Sequence, residues 1–134
     1  MSRKAIRQAV ATLLSSNVSD LVATYDHQTK DIAGQSPIAM VHSDGTGYSP
    51  LRTHNDLSRQ HALIIGLLWK RIEEDVTEDY LDDLSDDVRD VLDNNYRNAT
   101  WKALRVDQEF SQMDYVTVEG QQYRREQIRI VVWE

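Results

Sequence analysis

Four histidines, His27, His42, His54 and His61, are the residues best suited by type to hold a metal or carry a proton. None stands at ligand spacing. There is no HxH and no HExxH, and His54 and His61 fall on either side of an expected loop–strand boundary. The chain has no cysteine, so disulfides, thiolate metal sites and a cysteine nucleophile are excluded. No GxSxG, P-loop or GxGxxG pattern occurs, and Gly45-Thr46-Gly47 is too short to cradle a phosphate without a helix behind it. Ser49-Pro50 and its neighbours show no base partner. Asp82, Asp83, Asp86, Asp87 and Asp90 are cation ligands by type, but they fall on an expected helix and not on a glycine-turned calcium loop. A solvated acidic face is the simpler reading. The expectation is a non-enzyme with no catalytic residue, no cofactor and no metal.

The elements that would position these residues follow from periodicity. Ala5, Ile6, Ala9, Val10, Leu13 and Leu14 form one stripe, which predicts a helix over 3–15 with Ser2 as its N-cap. Leu21 to Tyr25 is a short strand candidate. Residues 26–36 read as a connection, and Pro37 opens a strand over Ile38 to His42. Residues 43–59 are polar, carry Gly45, Gly47 and Pro50, and read as one long loop; loops longer than about fifteen residues tend to be functional. Gln60 to Arg71 lacks clean alternation and fits a central strand covered on both faces. A second helix is expected to start at an N-cap Thr77, with Leu81, Leu84, Val88, Val91 and Leu92 as its stripe and Asn94-Asn95 as its stop. Three strands complete the chain, from Trp101, Tyr115 and Tyr123, with a hairpin turn at Glu119-Gly120-Gln121. Trp69, Trp101 and Trp133 read as core or core-edge residues. The sum is a single α+β domain over 1–134, a mostly antiparallel sheet with helices packed on one face and a long loop at 43–59.

Length and charge narrow the function classes. A chain of 134 residues, 40% hydrophobic and 28% charged, suits one globular domain. The longest apolar run, Ala62 to Trp69, is far short of the roughly twenty residues of a membrane helix, and the N-terminal basic residues are not followed by an apolar stretch of signal-peptide type. The net charge of −7 is uneven: residues 73–93 hold eleven acidic residues and one arginine, while residues 1–72 hold eight basic and five acidic ones. Tight nucleic-acid binding wants a basic face, and none is present; an acidic wall beside DNA would instead let it slide.

The order of segments carries further meaning. A short amphipathic helix precedes Ser36-Pro37-Ile38-Ala39-Met40-Val41, then a polar loop, a very apolar strand from His61 to Trp69 and an acidic helix with Tyr80-Leu81-Asp82-Asp83-Leu84. The chain closes on Asp114-Tyr115-Val116-Thr117-Val118-Glu119-Gly120 and Tyr123-Arg124-Arg125 through Ile128, Ile130 and Val132. Over residues 3–133 this resembles the tail-terminator (tail-completion) family of long-tailed bacteriophages. The resemblance implies a structural virion protein, made in the host cytoplasm, forming a hexameric ring at the head-proximal end of the tail tube. Such a ring stops tube polymerisation and docks the head–tail connector; DNA passes through it without specific binding. Its partners are further copies of itself, the tail tube protein and the connector or stopper protein, with no membrane.

Within that frame the loop is the expected interface, anchored by Tyr48, Pro50, Leu51, Arg52 and His54. Asp82, Asp83, Asp86 and Asp90 are candidates for a lumen wall, the outer surface being the competing place for them. Three other readings stay open: a head-side neck protein (stopper or adaptor), a monomeric ligand-binding module, and a carboxylate-based hydrolase.

Overall fold

The computed structural model describes residues 2–48 and 59–134, with Tyr48 and Glu74 described by backbone alone. Helix α1 spans Arg3–Asn17, and Ser2 caps it, its hydroxyl accepting from the Ala5 amide at 3.1 Å. Ile6, Val10, Ala11 and Leu14 form its buried stripe. Helix α2 spans Glu74–Asn94 and buries Leu81, Leu84, Val88 and Leu92. Six strands follow the order of the chain: β1 (Ala23–Tyr25), β2 (Ile38–Tyr48), β3 (Arg59–Lys70), β4 (Ala103–Val106), β5 (Gln112–Val118) and β6 (Gln121–Trp133).

They form one curled sheet, β1-β2-β3-β6-β4, with β5 also on β6. Every pairing is antiparallel except β1 with β2. A parallel pair needs a crossover, and residues 26–37 supply it across the face away from the helices, burying Ile32 there. β4 and β5 run in the same direction along the outer side of β6, so residues 103–118 act as one strand interrupted at 107–111. The β5–β6 turn is Glu119-Gly120, both with positive φ (51° and 80°), the backbone of a two-residue hairpin turn that glycine accepts at low cost.

Side chains alternate between two unequal faces. Ala39 and Val41 of β2, Leu63, Ile65 and Leu67 of β3, and Ile128, Ile130 and Val132 of β6 meet both helices in the main core. The opposite face carries a smaller cluster, Ile32, Ile38, Met40, Leu68 and Tyr123. The α+β class with helices on one face is as expected, and Trp101 is buried with its indole N–H donating to the Asn95 carbonyl at 2.9 Å.

Three boundaries move. The expected loop 43–59 is strand as far as Tyr48, because β2 continues through a bulge between Ser43 and Gly45 and pairs with β3 out to Arg59. Residues 49–58, with Pro50, Leu51, Arg52 and His54, lie outside the described residues. Helix α2 starts three residues before Thr77, at Glu74 after an N-cap Glu73. Thr77 is buried inside the first turn, and its hydroxyl accepts from the Ile72 amide at 3.0 Å, so it caps the preceding chain and not its own helix. The last strands are also redrawn: β4 is shorter than expected and β5 starts earlier, at Gln112.

Candidate interaction surfaces

Four regions combine side chains suited to contact. The first is the base of the β2–β3 hairpin. Tyr48 ends β2 opposite Arg59, which places the expected anchor at the root of the segment and leaves the other four expected anchors outside the described residues. Below it, Thr46 Oγ1 bonds His61 Nδ1 at 3.0 Å, and His61 Nε2 bonds Glu134 Oε2 at 3.2 Å. Arg59 grips the same carboxylate, Nε to Oε2 at 2.6 Å and Nη2 to Oε1 at 3.1 Å. Burial alone would raise the Glu134 carboxyl; hydrogen bonding to His61 and the charge of Arg59 help pull it below its ordinary value. The arrangement ties both strands of the hairpin to the end of β6. His61, offered by the sequence only as a lone histidine, is in fact a buried tie, 1% exposed.

The second region is the outer face of α2. Asp82, Asp83, Asp86 and Asp90 are all exposed there, as are Asp79, Asp87 and Asp93. Among the described residues none of these seven takes part in an ion pair; α2 contributes Glu78, bound to Arg124 at 2.7 Å, and Arg89, 3.8 Å from the buried Glu126. Partial desolvation against the helix surface, and then the neighbouring charges of Glu78, Glu126, Asp79 and Asp86, raise the Asp82 carboxyl although the residue is exposed. No group of three possible metal ligands occurs among the described residues.

The third is a groove of about 390 Å3 on the helix-free face, between Gln28–Lys30 and β5. Its floor is Met40, Gly66 and Leu68. A side chain at Gly66 would meet only ordinary contacts, the Met40 carbonyl at 3.8 Å and Leu68 Cδ1 at 3.9 Å, so the missing Cβ is what deepens the floor. His42 lines it, kept neutral by burial, which lowers its pKa, and its Nδ1 is buried without a hydrogen bond. Arg125 lines the same groove with its charge held by both oxygens of Asp114, Nε to Oδ1 at 2.8 Å. An apolar floor with polar walls can take a small amphipathic molecule. Nothing in the histidine pattern marks this site in the sequence, because its members come from five separate segments.

The fourth is β5 itself. α2 packs mainly on β3, β6 and β4, and Met113 and Tyr115 on the helix side of β5 stay 36% and 45% exposed. Phe110, just before, is 80% exposed. The Arg71 and Arg124 guanidinium carbons lie 5.4 Å and 4.6 Å from the Tyr115 ring centre. The only sequence signal was the alternation Tyr-Val-Thr-Val, which says half-buried strand and not which half stays bare.

Trp69 stacks on Tyr80 at 5.0 Å and Trp133 lies under Arg105 at 5.0 Å, both at the rim of the core. No protein-family model matches the chain, and no curated protein matches it either.

Proposed function

We propose that this protein is a structural subunit of phage tails, a tail terminator that closes into a ring on the head-proximal end of the tail tube, ends tube growth and receives the head connector. The observation that supports it most is the pair of unpaired sheet edges on opposite sides of one small domain, β1 on one side and β4/β5 on the other. A ring subunit needs two different lateral surfaces that fit each other, the heterologous contact of cyclic assemblies. The order of segments described above and the acidic α2, which would repel passing DNA, agree with this reading. The function is non-enzymatic, and the acid-rich face lines the channel or the exterior of the ring. Deletion of the gene in its phage, with negative-stain microscopy of the lysate, tests it. Tails of uncontrolled length are expected. Normal tails lying beside filled heads would move the protein to the head-side neck, and intact virions would overturn the reading.

The 390 Å3 groove favours a second reading, a monomeric module that binds a small amphipathic ligand between residues 28–30 and β5. Intact virions together with saturable ligand binding lost in Gly66→Val would establish it.

A further inference from the structure

We infer that the contact between neighbouring copies is a continuation of the sheet, the β5 edge of one copy meeting the β1 edge of the next, with the neighbour's α1 covering Met113 and Tyr115. The inference rests on the ring reading above and names its lateral surface.

The β5 edge is chemically unfinished. Its two-residue turn makes Val118 and Gln121 a hydrogen-bonded pair, and counting back by two turns the backbone groups of Val116, Asp114 and Gln112 inward to β6. Met113, Tyr115 and Thr117 therefore aim their N–H and C=O outward, and among the described residues no backbone group bonds them there. Edges of this length are normally blunted by proline, lysine or a bulge. β5, Gln-Met-Asp-Tyr-Val-Thr-Val, has none of these. An extended backbone is what satisfies such an edge.

The opposite edge offers one at the same height. Thr24 pairs with Ala39, Ala39 with Leu67, Leu67 with Glu126, and Glu126 with Met113, so Thr24 and Met113 end the same row across the sheet. In the adjacent row Tyr25 pairs with Met40, Met40 with Gly66, Gly66 with Gln127 and Gln127 with Gln112, so Tyr25 and Gln112 end that row. β1 and β5 run in opposite directions, so a second copy set beside the first in the same orientation makes an antiparallel pair, with Thr24 facing Met113 and Tyr25 facing Gln112. The helices agree. α1 lies over β1 and β2, and α2 mainly over β3, β6 and β4, which leaves Met113 and Tyr115 exposed on the helix side of β5, with Arg71 and Arg124 beside the Tyr115 ring. The neighbour's α1 covers that exposed surface. It carries Arg3, Lys4 and Arg7 and no acidic residue, and it comes alongside the unpaired acidic groups of α2. Covering apolar side chains, completing backbone bonds and matching charge then act at one surface.

The chain has no cysteine, so Thr24→Cys and Met113→Cys in one purified protein give a clean test by mild oxidation at high protein concentration. The expected result is a ladder of covalent oligomers ending in a closed species, while each single variant gives dimers at most. Raising salt to about 0.5 M should lower the ladder yield several-fold, since the Debye length falls to a few ångströms. Tyr25→Cys with Gln112→Cys reads the next row, should the first pair fail to fold. Tyr115→Pro removes an outward amide together with the ring beside Arg71 and Arg124, so Tyr115→Ala, which removes the ring alone, is its control; added to the first pair, proline should lower the ladder yield well below alanine. No ladder from either pair would overturn the inference, as would dimers from Met113→Cys alone as abundant as the double variant's products, which would mean β5 pairs with itself. The two proposals fail separately: a ladder with normal tails after gene deletion would sink the ring function and keep the interface, and uncontrolled tails without a ladder would do the reverse.

Discussion

The two faces of the sheet treat buried polar groups differently. On the helix side His61 is answered by Thr46 and Glu134, Thr77 by the Ile72 amide, Glu126 by the Ser111 hydroxyl and Arg124 by Glu78, while Arg7 Nε of α1 is buried with no hydrogen bond. On the opposite side Tyr123 Oη and His42 Nδ1 are buried with no hydrogen bond. The helix side has two helices to bring partners from several directions, while among the described residues the other face is roofed by the 26–37 crossover alone. An unmade bond in a buried place is costly, so the uncharged Tyr123 hydroxyl and His42 nitrogen make the helix-free face the weaker of the two.

The largest effect that would sharpen this contrast is in the main core. Leu67→Ala on the helix side, fully buried, should lose about 2–5 kcal/mol in urea unfolding. A loss no larger than that of a surface substitution would erase the distinction between the faces.

Tyr123→Phe tests the other face. Removing an unsatisfied buried hydroxyl at unchanged ring packing should raise stability by about 1 kcal/mol. A clear loss would mean the hydroxyl has a partner in solution. Burial holds that phenol above its ordinary pKa, which agrees with a neutral, poorly solvated group.

Acid should act on the helix side through Glu134. Its folded pKa lies below its unfolded one, so its contribution is complete above the ordinary carboxylate range and is lost as pH falls through the folded value. Glu134→Gln should therefore flatten the fall in melting temperature below about pH 4.5, the usual carboxylate region. A fall as steep in the variant would take the hairpin tie out of the account. Asp82 has the opposite sign. Its folded pKa is raised, so its charge opposes folding at neutral pH and the opposition fades as it takes up a proton on acidification. Asp82→Asn should melt slightly higher than the parent at pH 7, by less than any change above, and match it in acid.

The smallest expected effect belongs to the floor of the groove. Gly66→Ala has room for its Cβ and no positive φ to strain, so stability should shift by less than about 1 kcal/mol while groove volume falls. A large loss would show that the open face is packed more tightly than its 390 Å3 groove implies.

Local pattern carried much of this architecture. The α1 stripe and its Ser2 cap, the stripe of α2, the start of β2 after Pro37, and the turn at Glu119-Gly120 all follow from spacing, capping and backbone preference within a few residues. The element order is legible for the same reason. What local pattern missed depends on partners far along the chain. Residues 43–48 are polar and glycine-containing, and they became strand because β3 offers them a ladder out to Arg59. Thr77 has the chemistry of an N-cap, and it sits inside the helix because the amide it serves belongs to Ile72. A lone His61 became a tie through residues 15 and 73 positions away. Met113 and Tyr115 of β5 stay exposed because α2 packs mainly on β3, β6 and β4, a matter of helix placement that no alternation in Tyr-Val-Thr-Val encodes. Amino-acid order by itself determined the order of helices and strands and most of their cores, since periodicity and capping are short-range, but not the reach of β2 through 43–48. Tertiary structure alone decided which edges and side chains stay unpaired, since pairing is settled by whatever the fold brings alongside.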